Sequence, residues 1–209
     1  ETDVFGSLQY FGARQPDSDR FRLWEVAGAA HADTYFFSAS PFDSGSLTVA
    51  ELAALVAKSE NTGLPVKLPI NSGPQMHYVL QRAFDALERW VRDGEGPASA
   101  PRLDADDNGT METDGLGIAR GGVRTPWVDA PLEVLSGLGQ PGSMMELFGI
   151  TRPLPDGARA ERYPRGRDEF VPRFDAATQD AVDAGFLLEA DANEIRALGR
   201  AGWERVNPK

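Results

Sequence analysis

The residues of this 209-residue chain best suited to chemistry are one histidine and two acids near its start. His31 stands in "EVAGAAHADTY", residues 25–35, where an apolar run stops at Gly28 and small residues follow. "ETD" at 1–3 supplies Glu1 and Asp3. A histidine whose ring is fixed by a carboxylate serves as a general base: it takes a proton from a nucleophile, while the carboxylate holds the tautomer and stabilises the cation. Such groups belong in loops at strand ends. The spacing from Asp3 to His31 accommodates one helix and one strand, so both side chains are predicted at one edge of a sheet.

The intervening elements read as follows. In "FGSLQYFGAR", residues 5–14, Phe5, Leu8 and Phe11 share a helical face, and "PDSD" at 16–19 signals a turn. "FRLWEV" at 21–26 is apolar and aromatic and reads as a largely buried strand. Downstream, Thr48 and Glu51 form a capping-box pattern in front of a short helix bearing Leu52, Leu55 and Val56. Ser72, Pro74 and Gln75 open a second helix, with Ser72 as its expected cap. In it Val79, Leu80, Ala83, Phe84, Leu87, Trp90 and Val91 make an apolar stripe, and Gly94 is its stop.

"DGEGPASAP" at 93–101 reads as a surface crossing, after which a Gly- and Pro-rich region of short strands and loops is expected. "GLGIARGGVRTPWV" at 115–128 could supply β structure. Helices return near the end, with Asp175 and Asp191 as cap candidates and Gly185 between them. The predicted division is 1–95, a core with the acid loop, last strand, histidine loop and covering helix, and 96–209, an extension packed on it.

An acid after one strand and a histidine after the next is the later half of the order Ser…Asp/Glu…His. Here "ETDVFGSLQYFGARQPDSDRFRLWEVAGAAHADTY", "PINSGPQMHYVLQRAFDALERWVRDG", "GGVRTPWVDAPLEVLSGLG" and "LFGITRPL" resemble the C-terminal part of a bacterial family of alpha/beta hydrolase domain proteins. The resemblance touches most of the chain. It implies an α/β fold: the C-terminal portion of a parallel sheet with covering helices, and a Gly/Pro-rich, partly β extension ending in helices. It also implies a serine hydrolase of esters or related acyl compounds, without a cofactor or metal. Asp3 falls where the triad acid would be, Glu1 is a second candidate, and His31 falls at the base.

The sequence departs from that pattern at one place. No G-x-S-x-G elbow occurs in these 209 residues. Ser38, Ser40 and Ser44 follow His31 in a loop, without the strand–turn–helix setting that exposes a nucleophile. Two expectations stay open: an upstream N-terminal part or companion chain supplies the serine, the chain starting inside a longer protein, or the chain is a non-catalytic binding module derived from a hydrolase. A bare edge on strand 21–26 would point to a partner.

Composition narrows the remaining classes. A net charge of −11 argues against nucleic acid and anionic membrane surfaces. No run reaches the roughly 18 apolar residues of a membrane-spanning helix. The absence of cysteine removes thiolate nucleophiles, and nothing specifies a compartment. Asp104, Asp106, Asn108 and Gly109 match the opening of a calcium loop, but Gly115 stands at the twelfth position where a bidentate Glu belongs. An acidic turn is the better reading. His77 reads as structural, Asp33 as a turn former, and Arg120, Arg124 and Trp127 as packing residues rather than a pocket.

Overall fold

The computed structural model describes residues 1–60, 63–142 and 144–207. Seven α-helical segments and two strands follow in the order α1 (Thr2–Phe5), α2 (Val49–Val56), α3 (Gln75–Asp93), α4 (Pro126–Asp129), β1 (Glu133–Ser136), β2 (Ile150–Pro153), α5 (Ala158–Arg162), α6 (Arg167–Asp183) and α7 (Ala192–Val206). No described helix is long and apolar enough to cross a membrane.

The two helices with the strongest local signals form as the sequence predicts. Thr48 accepts the Glu51 backbone N–H, and the Glu51 carboxylate accepts the Thr48 N–H, so two of the backbone donors at the start of α2 are satisfied. α3 runs to Gly94, whose φ of 77° provides the left-handed stop. Its cap differs from expectation. Pro74 occupies the N-cap with no side-chain bond, and Ser72 instead meets the Thr151 hydroxyl at 3.1 Å.

Three other elements also depart from the sequence reading. The helix expected over 5–14 is broken: α1 ends at Phe5, Gln9 takes a left-handed φ of 50°, and a 3₁₀ turn covers Tyr10–Ala13. The apolar spacing serves a ring contact instead, with Phe5 and Phe11 centroids 5.5 Å apart and the Arg14 guanidinium 4.5 Å from the Phe11 ring. α6 begins well before Asp175, at Arg167 after Gly166; Asp175 pairs with Arg200 at 2.6 Å rather than capping. Asp191 does occupy the N-cap of α7, but without a capping bond.

The described sheet is small. β1 and β2 pair antiparallel, Glu133 opposite Pro153 and Ser136 opposite Ile150. Residues 21–26 run extended and contribute a single parallel bridge, Val26 to Val123. Leu103–Gly121, Ala105–Met111 and Thr113–Ala119 are antiparallel bridges, so residues 104–115 fold as tight turns. Asp106 accepts the N–H groups of Asn108 and Thr110 there, each at 2.9 Å, and no group of three or more ligating side chains is gathered to hold a metal among the described residues.

One apolar cluster holds the molecule together across its length. Val26, Leu52, Tyr78, Val79, Val123, Phe170, Phe174, Ile195 and Leu198 meet in it. Gly199 is what lets α6 and α7 approach: a Cβ there would stand 2.5 Å from the Phe174 ring. A second cluster gathers Ala27, Leu103, Ile118, Val128 and Val134 under the bridged turns.

Candidate active site

The loop carrying His31 is fixed from below by a buried polar hub. Gly28 turns the chain with φ 73°, and a Cβ at that position would lie 2.6 Å from Val128. Its carbonyl accepts Asn71 Nδ2 and Gln75 Nε2, both at 2.7 Å. Ala27, Ala29, Ala30 and Ala32 are buried around it. Their small side chains let the loop lie close against neighbouring backbone, where Ala32 N–H donates to Leu147 C=O at 3.0 Å.

Thr2 ties this loop to α1. Its hydroxyl donates to Gly137 C=O at 2.6 Å and accepts the His31 N–H at 3.3 Å. That anchor sets Asp3, one residue on, beside the ring. Asp3 Oδ1 lies 2.7 Å from His31 Nδ1. With Nδ1 engaged by the carboxylate, Nε2 is the nitrogen left to exchange a proton. No described residue bonds Nε2, and the pair is open to solvent, with side chains 49% and 41% exposed.

Glu1 is placed differently. Its carboxylate is buried and accepts Gly28 N–H, the Ser136 hydroxyl at 2.7 Å and Gly137 N–H at 2.8 Å. Those bonds consume it, and it makes none to His31. Of the two candidate acids, the structure brings Asp3 to the histidine and builds Glu1 into the floor. Thr2, Asn71, Gln75 and Ser136 complete this floor, and sequence reasoning did not assign them to it because their partners lie far along the chain: backbone carbonyls for Thr2, Asn71 and Gln75, the Glu1 carboxylate for Ser136. "NSGPQ" at 71–75 was the only local trace of Asn71 and Gln75.

Asp33 shapes the turn after His31 by accepting the Phe36 N–H at 3.0 Å. Burial pushes its carboxyl up to about 6, against the opposing pull of the Phe36 and Tyr35 N–H groups. His77 lies away from the pair. It stacks on Tyr35 with centroids 3.9 Å apart, and burial holds its imidazole below the ordinary value. Arg124 is held by Asp129 and the Ala119 carbonyl, and Trp127 packs against Tyr78 and Phe174.

Asp3 also lines an apolar cavity of about 310 Å³, together with Val4, Leu23, Trp24, Val26, Met76 and Leu80. The bridge to Val123 uses Glu25 C=O and Ala27 N–H. Trp24 and Val26 therefore present their N–H and C=O on the opposite edge, where they find no partner among the described residues. Beside that edge the apolar stripe of α3 divides. Val79 and Ala86 are buried, while Leu80, Phe84, Leu87 and Val91 face outward, Phe84 64% and Val91 81% exposed.

A model of the alpha/beta hydrolase domain family matches residues 1–197. The chain belongs to that family. Comparison with curated proteins and with solved structures gave no match. Within this hydrolase-family chain, the Asp3–His31 pair has the residue types and contact that acyl-transfer chemistry uses. Among the described residues no serine is hydrogen-bonded to the pair: Ser44 bonds Ser46 at 3.0 Å, Ser38 lies in a π-helical turn at Tyr35–Ala39, and Ser40 caps that turn.

Proposed function

We propose that this chain supplies the acid and base of a serine hydrolase acting on esters or related acyl compounds, with the nucleophile coming from a part outside these 209 residues. The observation that carries the reading is the 2.7 Å contact between Asp3 Oδ1 and His31 Nδ1. In the reaction, His31 Nε2 takes the proton of the serine hydroxyl as its oxygen bonds to the ester carbonyl carbon. The imidazolium, stabilised by Asp3, then gives that proton to the departing alkoxide. Water, deprotonated by the same nitrogen, releases the acid and restores the serine.

The bare face fits this reading. An extended segment in parallel register could bond the free edge of Trp24 and Val26, continue the parallel pairing begun by Val26 and Val123, and cover Leu80 and Phe84. A strand with one unpaired edge and apolar neighbours is an invitation to pair. That arrangement would build a parallel sheet beside Asp3 and bring a nucleophile from the same side. The other reading, a hydrolase-derived binding module, draws on the same bare edge but leaves the Asp3–His31 pair without a purpose.

The test is the intact mass of the protein isolated from its source, combined with labelling by a fluorophosphonate that reacts with activated serines. The expected result is a longer chain or a companion chain that takes the label, with labelling lost in His31→Ala and reduced about 10⁴-fold in rate in Asp3→Asn, the magnitude of losing a triad acid. A native chain of these residues alone, without a partner and without label, would overturn the proposal in favour of the binding module.

A further inference from the structure

A second cavity, of about 360 Å³, opens between α2, α7 and β1 and has no lining residue in common with the Asp3–His31 pair. Its size falls in the range of about 300–1,000 Å³ typical of small-molecule sites. It exists because the facing helices carry small residues: Ala53, Ala54 and Ala57 on the α2 side, Gly199, Ala201 and Gly202 on α7. The floor is apolar, made by Trp127, Leu135, Phe174 and Leu198. Close-packed interiors leave few voids larger than a water molecule, and such walls give water too few partners to hold it.

The polar groups on the wall narrow the occupant. Among the described residues, Glu133 and Arg205 are the only charged ones lining the cavity, and they neutralise one another through a two-pronged contact, with Arg205 Nη1 3.2 Å from Glu133 Oε1. A charged head group would find no free counter-charge and would lose hydration on entering. Ser72 offers something else. The single Thr151 proton goes to the Ile70 carbonyl at 2.9 Å, so across the 3.1 Å between the two hydroxyl oxygens the Ser72 proton faces Thr151, and the Ser72 oxygen keeps lone pairs to offer. A neutral ligand N–H or O–H could donate to them.

We infer that this cavity binds a neutral aliphatic molecule carrying one hydrogen-bond donor, its chain over Trp127 and Leu135 and its donor at the Ser72 oxygen. The site is separate from the acid–base pair, so the inference stands whether or not the chain takes part in acyl transfer.

The experiment titrates the full chain with the neutral fluorophore N-phenyl-1-naphthylamine and displaces it with decanamide, decanoate or decylamine. Saturable binding is expected, with decanamide effective at a concentration at least tenfold below the two charged analogues. Ala54 is exposed at the mouth, so Ala54→Trp blocks entry without touching the core; Gly202→Val narrows the cleft from the opposite wall. Each is expected to weaken the probe at least tenfold at unchanged far-UV circular dichroism. Ser72→Ala is expected to erase the advantage of decanamide while probe binding persists. Absence of saturable binding, equal displacement by all three analogues, or binding lost in Phe84→Ser but not in the cleft variants would overturn the inference; the last pattern would assign the dye to the exposed face of α3.

Discussion

Asp33 offers a stability prediction whose sign and size both come from the structure. Its carboxyl is buried, accepts the Phe36 N–H at 3.0 Å and titrates near 6 rather than at the ordinary 3.8. Folding therefore favours its protonated form. Below the unfolded pKa both states hold the proton and nothing is lost; as pH rises through the folded value, the native state must ionise a buried group that the unfolded chain ionises freely. At 1.36 kcal/mol per pKa unit, the shift corresponds to about 3 kcal/mol, lost between about pH 3.8 and 6. Asp33→Asn keeps an oxygen for the Phe36 N–H and removes the charge. The variant should match the parent at pH 3.5 and exceed it at pH 8 by up to about 3 kcal/mol, or roughly 6–12 °C in Tm for a chain of this size. Urea unfolding at half-unit pH steps measures the difference. A stability gap that stays constant from pH 3.5 to 8 would refute the burial argument.

Further perturbations probe the supports of the site. Arg14 bonds the buried Glu25 carboxylate through Nε at 2.7 Å and Nη2 at 2.6 Å; Arg14→Ala strands that charge and should cost about 3–5 kcal/mol in urea unfolding. Thr48→Ala removes one half of the capping box and should cost about 1 kcal/mol. In the same variant the Glu51 carboxyl, held low by the Thr48 hydroxyl and N–H, should return toward its ordinary pKa in an NMR titration. Gly137→Ala would set a Cβ 2.4 Å from Ala29 C=O and 2.7 Å from the Thr2 nitrogen, so it should destabilise by about 1–3 kcal/mol as overpacking does and change the His31 imidazole signals.

What could be read in the sequence was what depends on near neighbours or on family likeness. The capping box of α2 and the glycine stop of α3 involve residues within a few positions, and both form. The family likeness puts Asp3, Glu1 and His31 forward as candidates without choosing between the acids, and only coordinates set Asp3 rather than Glu1 against His31 Nδ1, at 2.7 Å. Phe5, Leu8 and Phe11 misled because apolar spacing of three also suits a packed turn, and Gln9 breaks the helix through its backbone conformation. Asp175 resembles a cap in isolation, yet its partner is Arg200 on another helix. Residues 21–26 have strand composition but only one bridge, since ladder formation depends on a neighbouring edge rather than on the segment itself.

In the proposed enzyme, the openness of the acid–base pair and the unpaired edge of residues 21–26 would have one cause. An ion pair or charge-assisted hydrogen bond in water is worth little, about 0–1 kcal/mol, because solvent screens it and both side chains must be ordered. Its value rises as the surrounding dielectric falls. Asp3 and His31 are half exposed, while the groups fixing their backbone, Thr2 and the Glu1 carboxylate, are fully engaged and buried. The scaffold is thus rigid where it holds the pair and bare where it would shield it. Asp3 lines the cavity that the free edge of Val26 and the outward Leu80 share, so a strand laid on that edge would exclude water from the side of the carboxylate. In the proposed enzyme, one docking event would both bring the serine and lower the dielectric around Asp3, tying the strength of the base to the presence of its nucleophile.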